Sequence, residues 1–219
     1  MTRELNFERR GPEQGKYLVV FLHGYGANAA DLIGLADPLM PHMADTVFIS
    51  PDAPDTIPQM PMGRQWFPIP WIDGSSEEAS RAGMETAVAD LNAFLDKVMA
   101  DEGIGAENTI LFGFSQGTMM ALHVAPRRDQ AVAGVVAFSG RLLEPERLEA
   151  EATVKPPVLL VHGDADDVVP VQSLNEAGQA LNAAGFDVYA HIMKGTAHGI
   201  APDGLSVALS FMVDRLGMN

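Results

Sequence analysis

Three short stretches hold the residue types of nucleophilic chemistry. Residues 113–117 read Gly113-Phe114-Ser115-Gln116-Gly117. Residues 162–170 read His162-Gly163-Asp164-Ala165-Asp166-Asp167-Val168-Val169-Pro170, and residues 194–199 read Lys194-Gly195-Thr196-Ala197-His198-Gly199. A serine hydroxyl attacks well only when a base takes its proton and a carboxylate orients that base. The three stretches supply serine, acid and histidine in that chain order. Asp164, Asp166 and Asp167 all compete as the acid. His162 competes with His198 as the base, but it precedes the acidic loop and breaks the order. His23, His42, His123 and His191 read as structural or surface residues.

The serine also needs a strained turn to lift it clear of its strand. The G-x-S-x-G pattern provides one when a strand precedes it and a helix follows. Here Thr109-Ile110-Leu111-Phe112 precede, and Met119, Met120, Leu122 and Val124 follow at helical spacing. An oxyanion formed by attack requires two N–H donors. The Gln116 N–H is one, at the start of the helix. The Tyr25 N–H is the candidate for the other, in the loop His23-Gly24-Tyr25-Gly26-Ala27-Asn28.

Positioning these groups falls to apolar runs that alternate with helical patterns. Strands are expected at Tyr17–Leu22, Thr46–Ser50, Thr109–Phe112, Val132–Phe138, Pro157–Val161 and Asp187–Ile192. Helices are expected near Ala30–Met40, Glu77–Ala100, Val171–Ala183 and Gly204–Leu216, with one more after Ser115. The near-continuous apolar character of Tyr17–Leu22 suits a strand covered on both faces. The alternation implies an α/β fold, a mostly parallel central sheet with helices on both sides. A single domain over 1–219 is expected. Residues 51–76 break the rhythm as an irregular stretch with Pro58, Met60, Pro61, Met62, Trp66, Phe67, Ile69 and Trp71. A loop this apolar must pack against something, and a cap lining an acyl pocket is the functional expectation.

Bulk properties narrow the function classes. Net charge is −15, from 29 acidic and 14 basic residues, which disfavours nucleic acid and anionic membrane surfaces as partners. No cysteine is present, so disulfides and a thiol nucleophile are excluded. No His/Asp/Glu spacing resembles a metal site, and the chemistry needs no cofactor. The first residues lack the apolar core of a signal peptide, and a soluble cytoplasmic protein is expected. Residues 108–126 carry no formal charge, but Asn, Thr, Ser, Gln and internal glycines split them into strand plus helix rather than a membrane span.

Five blocks taken together resemble the phospholipase/carboxylesterase family, the acyl-protein-thioesterase-like branch of the α/β-hydrolases. They are His23-Gly24-Tyr25-Gly26, Gly113–Gly117, Ser139-Gly140-Arg141-Leu142, His162–Pro170 and Ala197-His198-Gly199. The resemblance spans about residues 16 to 216. It implies an α/β-hydrolase fold and a Ser115–Asp166–His198 triad. Asp166 is selected because the family's acid precedes a tail like Asp167-Val168-Val169-Pro170. The resemblance also implies oxyanion donors at Tyr25 and Gln116. Arg64-Gln65-Trp66-Phe67 resembles the family's loop beside the acyl site, which puts Arg64, Trp66 and Phe67, with Leu142, on the substrate side. The apolar cap suggests an acyl tail, and short to medium acyl esters are the expected substrates, with small-molecule thioesters or lysophospholipids as further options. Related enzymes often form dimers, which makes a homodimer an option. The chain departs from the family at Asp167, where proline is usual, around Thr196-Ala197, and at Pro68, where an acidic residue is common.

Two other readings compete with ester hydrolysis. Hydrolase folds also serve as non-catalytic binding proteins. In addition, Gly24-Tyr25-Gly26-Ala27-Asn28-Ala29 matches a degenerate dinucleotide fingerprint with Asp52 beyond the next strand. An oxidoreductase of that kind would leave the serine, acid and histidine stretches unexplained.

Overall fold

The structure, a computed structural model, describes residues 2–58 and 60–218. Both ends of the expected 1–219 domain, and Gln59 within the expected cap, lie outside the described residues. Seven strands form the main sheet: β1 (Phe7–Arg10), β2 (Tyr17–Leu22), β3 (Thr46–Pro51), β6 (Thr109–Phe114), β7 (Gly134–Phe138), β8 (Val158–Gly163) and β9 (Val188–Met193). Their order is β1-β3-β2-β6-β7-β8-β9. All neighbours are parallel except β1, which pairs antiparallel with β3. The parallel strands therefore end on one rim, where ligands bind in open sheets of this kind.

Alternation along the strands builds two cores. Leu18, Val20 and Leu22 face one side of the sheet, and Val19 and Phe21 face the other. The first side is covered by α4 (Glu77–Glu102), α5 (Gln116–Val124), α6 (Pro145–Glu151) and α7 (Gln172–Ala183). The second is covered by α1 (Ala29–Ile33), α2 (Ala36–Leu39) and α8 (Pro202–Arg215). A sheet dry on both faces needs the continuous apolar runs seen in its central strands. Every residue of α5 is buried, which explains the absence of charge from 108 to 126. Among the described residues, no helix is long and apolar enough to cross a membrane.

Local signals set the helix ends. The Ser76 side chain accepts from the Ala79 N–H at 3.1 Å and caps α4, with Glu77 and Glu78 in its first turn. Such a cap contributes about 1 kcal/mol. Gly103 ends the same helix in the left-handed region, at φ 68°. The helix expected over 30–40 is instead two short helices separated at Gly34-Leu35. The strand β1 and the helix α6 add to the expected elements, and neither carries apolar periodicity. The stretch 51–76 is more ordered than expected. It holds a hairpin of β4 (Asp55–Ile57) and β5 (Met60–Gln65), then the short helix α3 (Pro70–Asp73).

Candidate active site

Ser115 sits between β6 and α5 with φ 53° and ψ −114°. A non-glycine residue held in that region stores strain, and the surroundings must enforce it. They do so through backbone contacts. The Ser115 N–H donates to the Phe138 carbonyl at 2.9 Å, and the Thr118 hydroxyl donates to the same oxygen at 2.7 Å. The flanking glycines are steric requirements. A Cβ on Gly113 would lie 2.5 Å from the Thr118 backbone, and one on Gly117 would lie 1.9 Å from the Leu22 carbonyl oxygen.

His198, in the loop after β9, brings its Nε2 to 3.0 Å from Ser115 Oγ. Its Nδ1 lies 2.7 Å from Asp166 Oδ2. A carboxylate only accepts, so Nδ1–H donates to it and Nε2 is left to accept from the hydroxyl. The other oxygen, Asp166 Oδ1, accepts from the Val168 and Val169 N–H groups at 2.9 and 2.8 Å. Burial pushes the Asp166 carboxyl up, but the His198 hydrogen bond and the two N–H donors outweigh it. The carboxyl ends below the usual carboxylate range. Phe114 packs against the His198 ring at 5.0 Å between centroids.

The competing acids separate by contact. Asp164 is exposed, and its Oδ1 accepts from the Gly195 N–H at 2.6 Å. It ties the acid loop to the histidine loop rather than meeting the imidazole. Asp167 is exposed. His162, the competing base, is buried, and its Nε2–H donates to the Val169 carbonyl at 2.7 Å. That ring braces the acid loop, 3.4 Å from Asp166 Oδ2. Sequence order flagged Asp164 and His162 only as rivals. Their bracing roles depend on the fold of the two loops around one another.

The glycine loop after β2 lies against the elbow. A Cβ on Gly24 would stand 3.1 Å from Ser115 Cβ, so Tyr25 follows directly on the residue that touches the serine. Gln116 is the first residue of α5, and its N–H has no acceptor within the helix. The Gln116 side chain, which the sequence offered no reason to single out, is wholly buried and bonded to the backbone of Trp66 and Phe67.

The substrate-side residues are placed unevenly. Arg64 directs its Nε to Asp52, 3.9 Å away. Trp66 is fully buried, with its Nε1–H donating to the His23 carbonyl at 3.0 Å. Phe67 and Leu142 are also buried, in the same core as Trp66. The dinucleotide reading loses its acidic partner, because Asp52 Oδ1 accepts from the Ala29 N–H at the start of α1 at 2.9 Å. Among the described residues, no group of three or more His, Asp or Glu could hold a metal ion.

A profile of the phospholipase/carboxylesterase family matches residues 9–214. The chain belongs to the phospholipase/carboxylesterase family. Its fold is that of the α/β-hydrolases, and it is a carboxylic ester hydrolase. It is 28% identical to Esterase YpfH of Escherichia coli over 94% of this chain and 87% of that protein. Acyl-protein thioesterase 1 of Saccharomyces cerevisiae is 30% identical over 93% of this chain and 95% of its own. The crystal structure of esterase PE8 superposes with a TM-score of 0.92 at 42% identity, covering 98% of this chain and all of that one.

Proposed function

We propose that this family member is a serine carboxylesterase of short to medium acyl esters, with thioesters or lysophospholipids as related substrates. Ser115 is the nucleophile. It attacks the acyl carbonyl while His198 Nε2 takes its proton; His198 then protonates the leaving group, and an acyl-enzyme forms. Water reverses the sequence and releases the acid. Asp166 holds the imidazole tautomer and stabilises the imidazolium. The Tyr25 and Gln116 N–H groups receive the oxyanion, each worth roughly 3–4 kcal/mol in comparable sites. No cofactor takes part.

The observation that carries this reading is the continuous relay from Asp166 Oδ2 through His198 to Ser115 Oγ, at 2.7 and 3.0 Å. A non-catalytic binding protein has no use for a strained serine held on that relay. Phe67 and Leu142 are the residues placed to meet the acyl chain in this reading, within one domain capped by 51–76. A cytoplasmic enzyme acting on small-molecule esters, as monomer or homodimer, completes the proposal. The test is covalent labelling by a fluorophosphonate probe, with hydrolysis of p-nitrophenyl esters of graded length. Labelling at Ser115 and turnover of the shorter esters are expected. A wild-type protein that neither labels nor turns over would overturn the reading.

A further inference from the structure

The segment Arg64–Phe67 grips both loops that would supply the oxyanion donors. On one side the Gly26 N–H donates to the Arg64 carbonyl, and the Arg64 N–H donates to the Ala27 carbonyl, both at 2.9 Å. This two-bond ladder fixes the chain immediately after Tyr25. Gly26 has φ 83°, a conformation glycine adopts freely, so the loop has little stiffness of its own. On the other side, two residues later, the Trp66 N–H donates to Gln116 Oε1 at 2.9 Å, and Gln116 Nε2 donates to the Phe67 carbonyl at 2.7 Å. Between the two, the Trp66 indole N–H donates to the carbonyl of His23, the first residue of the glycine loop.

These contacts exceed what burying an apolar loop requires. Packing alone would bury Trp66 without directing its N–H at a particular carbonyl. The Gln116 amide meets one donor and one acceptor, and a flipped amide would set like groups against each other at both. Gln116 and Trp66 are both at 0% exposure, so water cannot replace the lost partners. Oxyanion donors act through preorganisation, and their effect falls when they must be reoriented during reaction.

We propose that the Gln116 side-chain amide and the Trp66 indole are positioning residues. They make the segment 64–67 a splint that holds the Tyr25 and Gln116 N–H groups in fixed convergence on the attacked carbonyl. The proposal rests on the Ser115 acyl-enzyme reading. It moves Trp66 from the acyl pocket to the support of the oxyanion hole.

The test uses the full-length chain and three variants: Gln116→Met, Gln116→Glu and Trp66→Phe. Methionine keeps the backbone N–H and the side-chain length but removes both amide bonds. Glutamate keeps the acceptor for Trp66 and loses the donor to Phe67. Phenylalanine removes only the indole donor. The readouts are kcat and KM for p-nitrophenyl esters of graded length, the inhibition constant of an alkyl trifluoromethyl ketone, and the melting temperature. The ketone forms a tetrahedral adduct that needs the oxyanion donors. Gln116→Met is expected to lower kcat about 10- to 100-fold and weaken the ketone by a similar factor, with KM within about threefold. Trp66→Phe, which removes one hydrogen bond, should show a smaller loss with the same pattern, whereas Gln116→Glu sets a carboxylate oxygen against the Phe67 carbonyl and should lose at least as much as Gln116→Met. Variants that melt lower but keep wild-type kcat and ketone affinity would overturn the proposal, because the contacts would then be structural. A changed chain-length profile with unchanged ketone affinity would also overturn it, returning Trp66 to the acyl wall. If the wild-type protein itself neither labels nor turns over, the acyl-enzyme reading fails instead.

Discussion

The acid–base loops and the cap segment are built by opposite means. The loops after β8 and β9 are short, polar and stitched to each other by two backbone bonds and one from backbone to side chain. The Asp164 N–H donates to the Met193 carbonyl, the Ala165 N–H donates to the Thr196 carbonyl, and the Gly195 N–H donates to Asp164. Gly163 allows this contact, since a Cβ there would lie 2.1 Å from the Thr196 carbonyl oxygen. The cap segment 51–76 is long and apolar. It buries Trp66, Phe67 and Ile69 inward, and leaves Met60, Met62, Trp71 and Ile72 exposed. Its anchors come from far away in the chain, at His23 and Gln116. In the proposed mechanism the acid and the base sit on short loops bonded to each other. The groups proposed to shape and support the site sit on a segment that pairs with itself in the hairpin of β4 and β5 and is anchored to the rest of the fold through His23 and Gln116.

Breaking the relay that joins the loops after β8 and β9 to Ser115 should have the largest effect. Ser115→Ala should lower kcat by about 10⁴-fold or more and abolish fluorophosphonate labelling, with an unchanged circular dichroism spectrum. Wild-type-like turnover would remove Ser115 from the mechanism. Asp166→Asn should cost about 10³- to 10⁴-fold in kcat, because the neutral amide no longer enforces the imidazole tautomer. Asp164→Asn keeps an acceptor for Gly195 and should cost less than about tenfold. A reversed ranking in steady-state kinetics would transfer the acid to Asp164.

Changes in the cap should be smaller and of another kind. Phe67→Ala should shift chain-length preference, read across an ester series, with kcat on the best substrate within about tenfold. An unchanged profile would take Phe67 out of the acyl pocket. Trp71→Ser, at an exposed position, should leave stability within about 0.5 kcal/mol.

A third region calibrates both. His123 is buried in α5, and burial pushes its imidazole down to about 4. Between that value and its ordinary 6.5 the unfolded chain binds more protons than the folded one. This group therefore makes stability rise with pH across that window. His123→Leu should flatten that slope in urea melts recorded from pH 4 to 7. An unaltered slope would place the acid sensitivity elsewhere.

The site was legible in unequal parts. Of the proposed site, Ser115, the acidic loop and His198 are readable in the sequence because each follows a strand, and strands announce themselves as apolar runs. The same logic located the Tyr25 loop. Choosing Asp166 over its two neighbours needed the family resemblance, since all three are acids within four residues. The Gln116 side chain was invisible, because its partners lie 49 and 50 positions away. The approach of the Arg64 side chain to Asp52 has no sequence signal, because the two residues are brought together by the hairpin that carries Arg64. The hairpin of β4 and β5 escaped detection because its proline and glycine content conceals any alternation.

What the sequence determined by itself was the kind of chemistry and its order along the chain. Residue type dictates which groups can attack, accept a proton or orient a base. The periods of strand and helix dictate where along the chain those groups emerge. What only the tertiary structure decided was which groups meet. It put Asp166 rather than Asp164 on His198, turned His162 to the Val169 carbonyl, and locked Gln116 to Trp66. These are choices between chemically equivalent candidates. Distances of a few ångströms decide them, and those distances are set by packing among segments far apart in the chain.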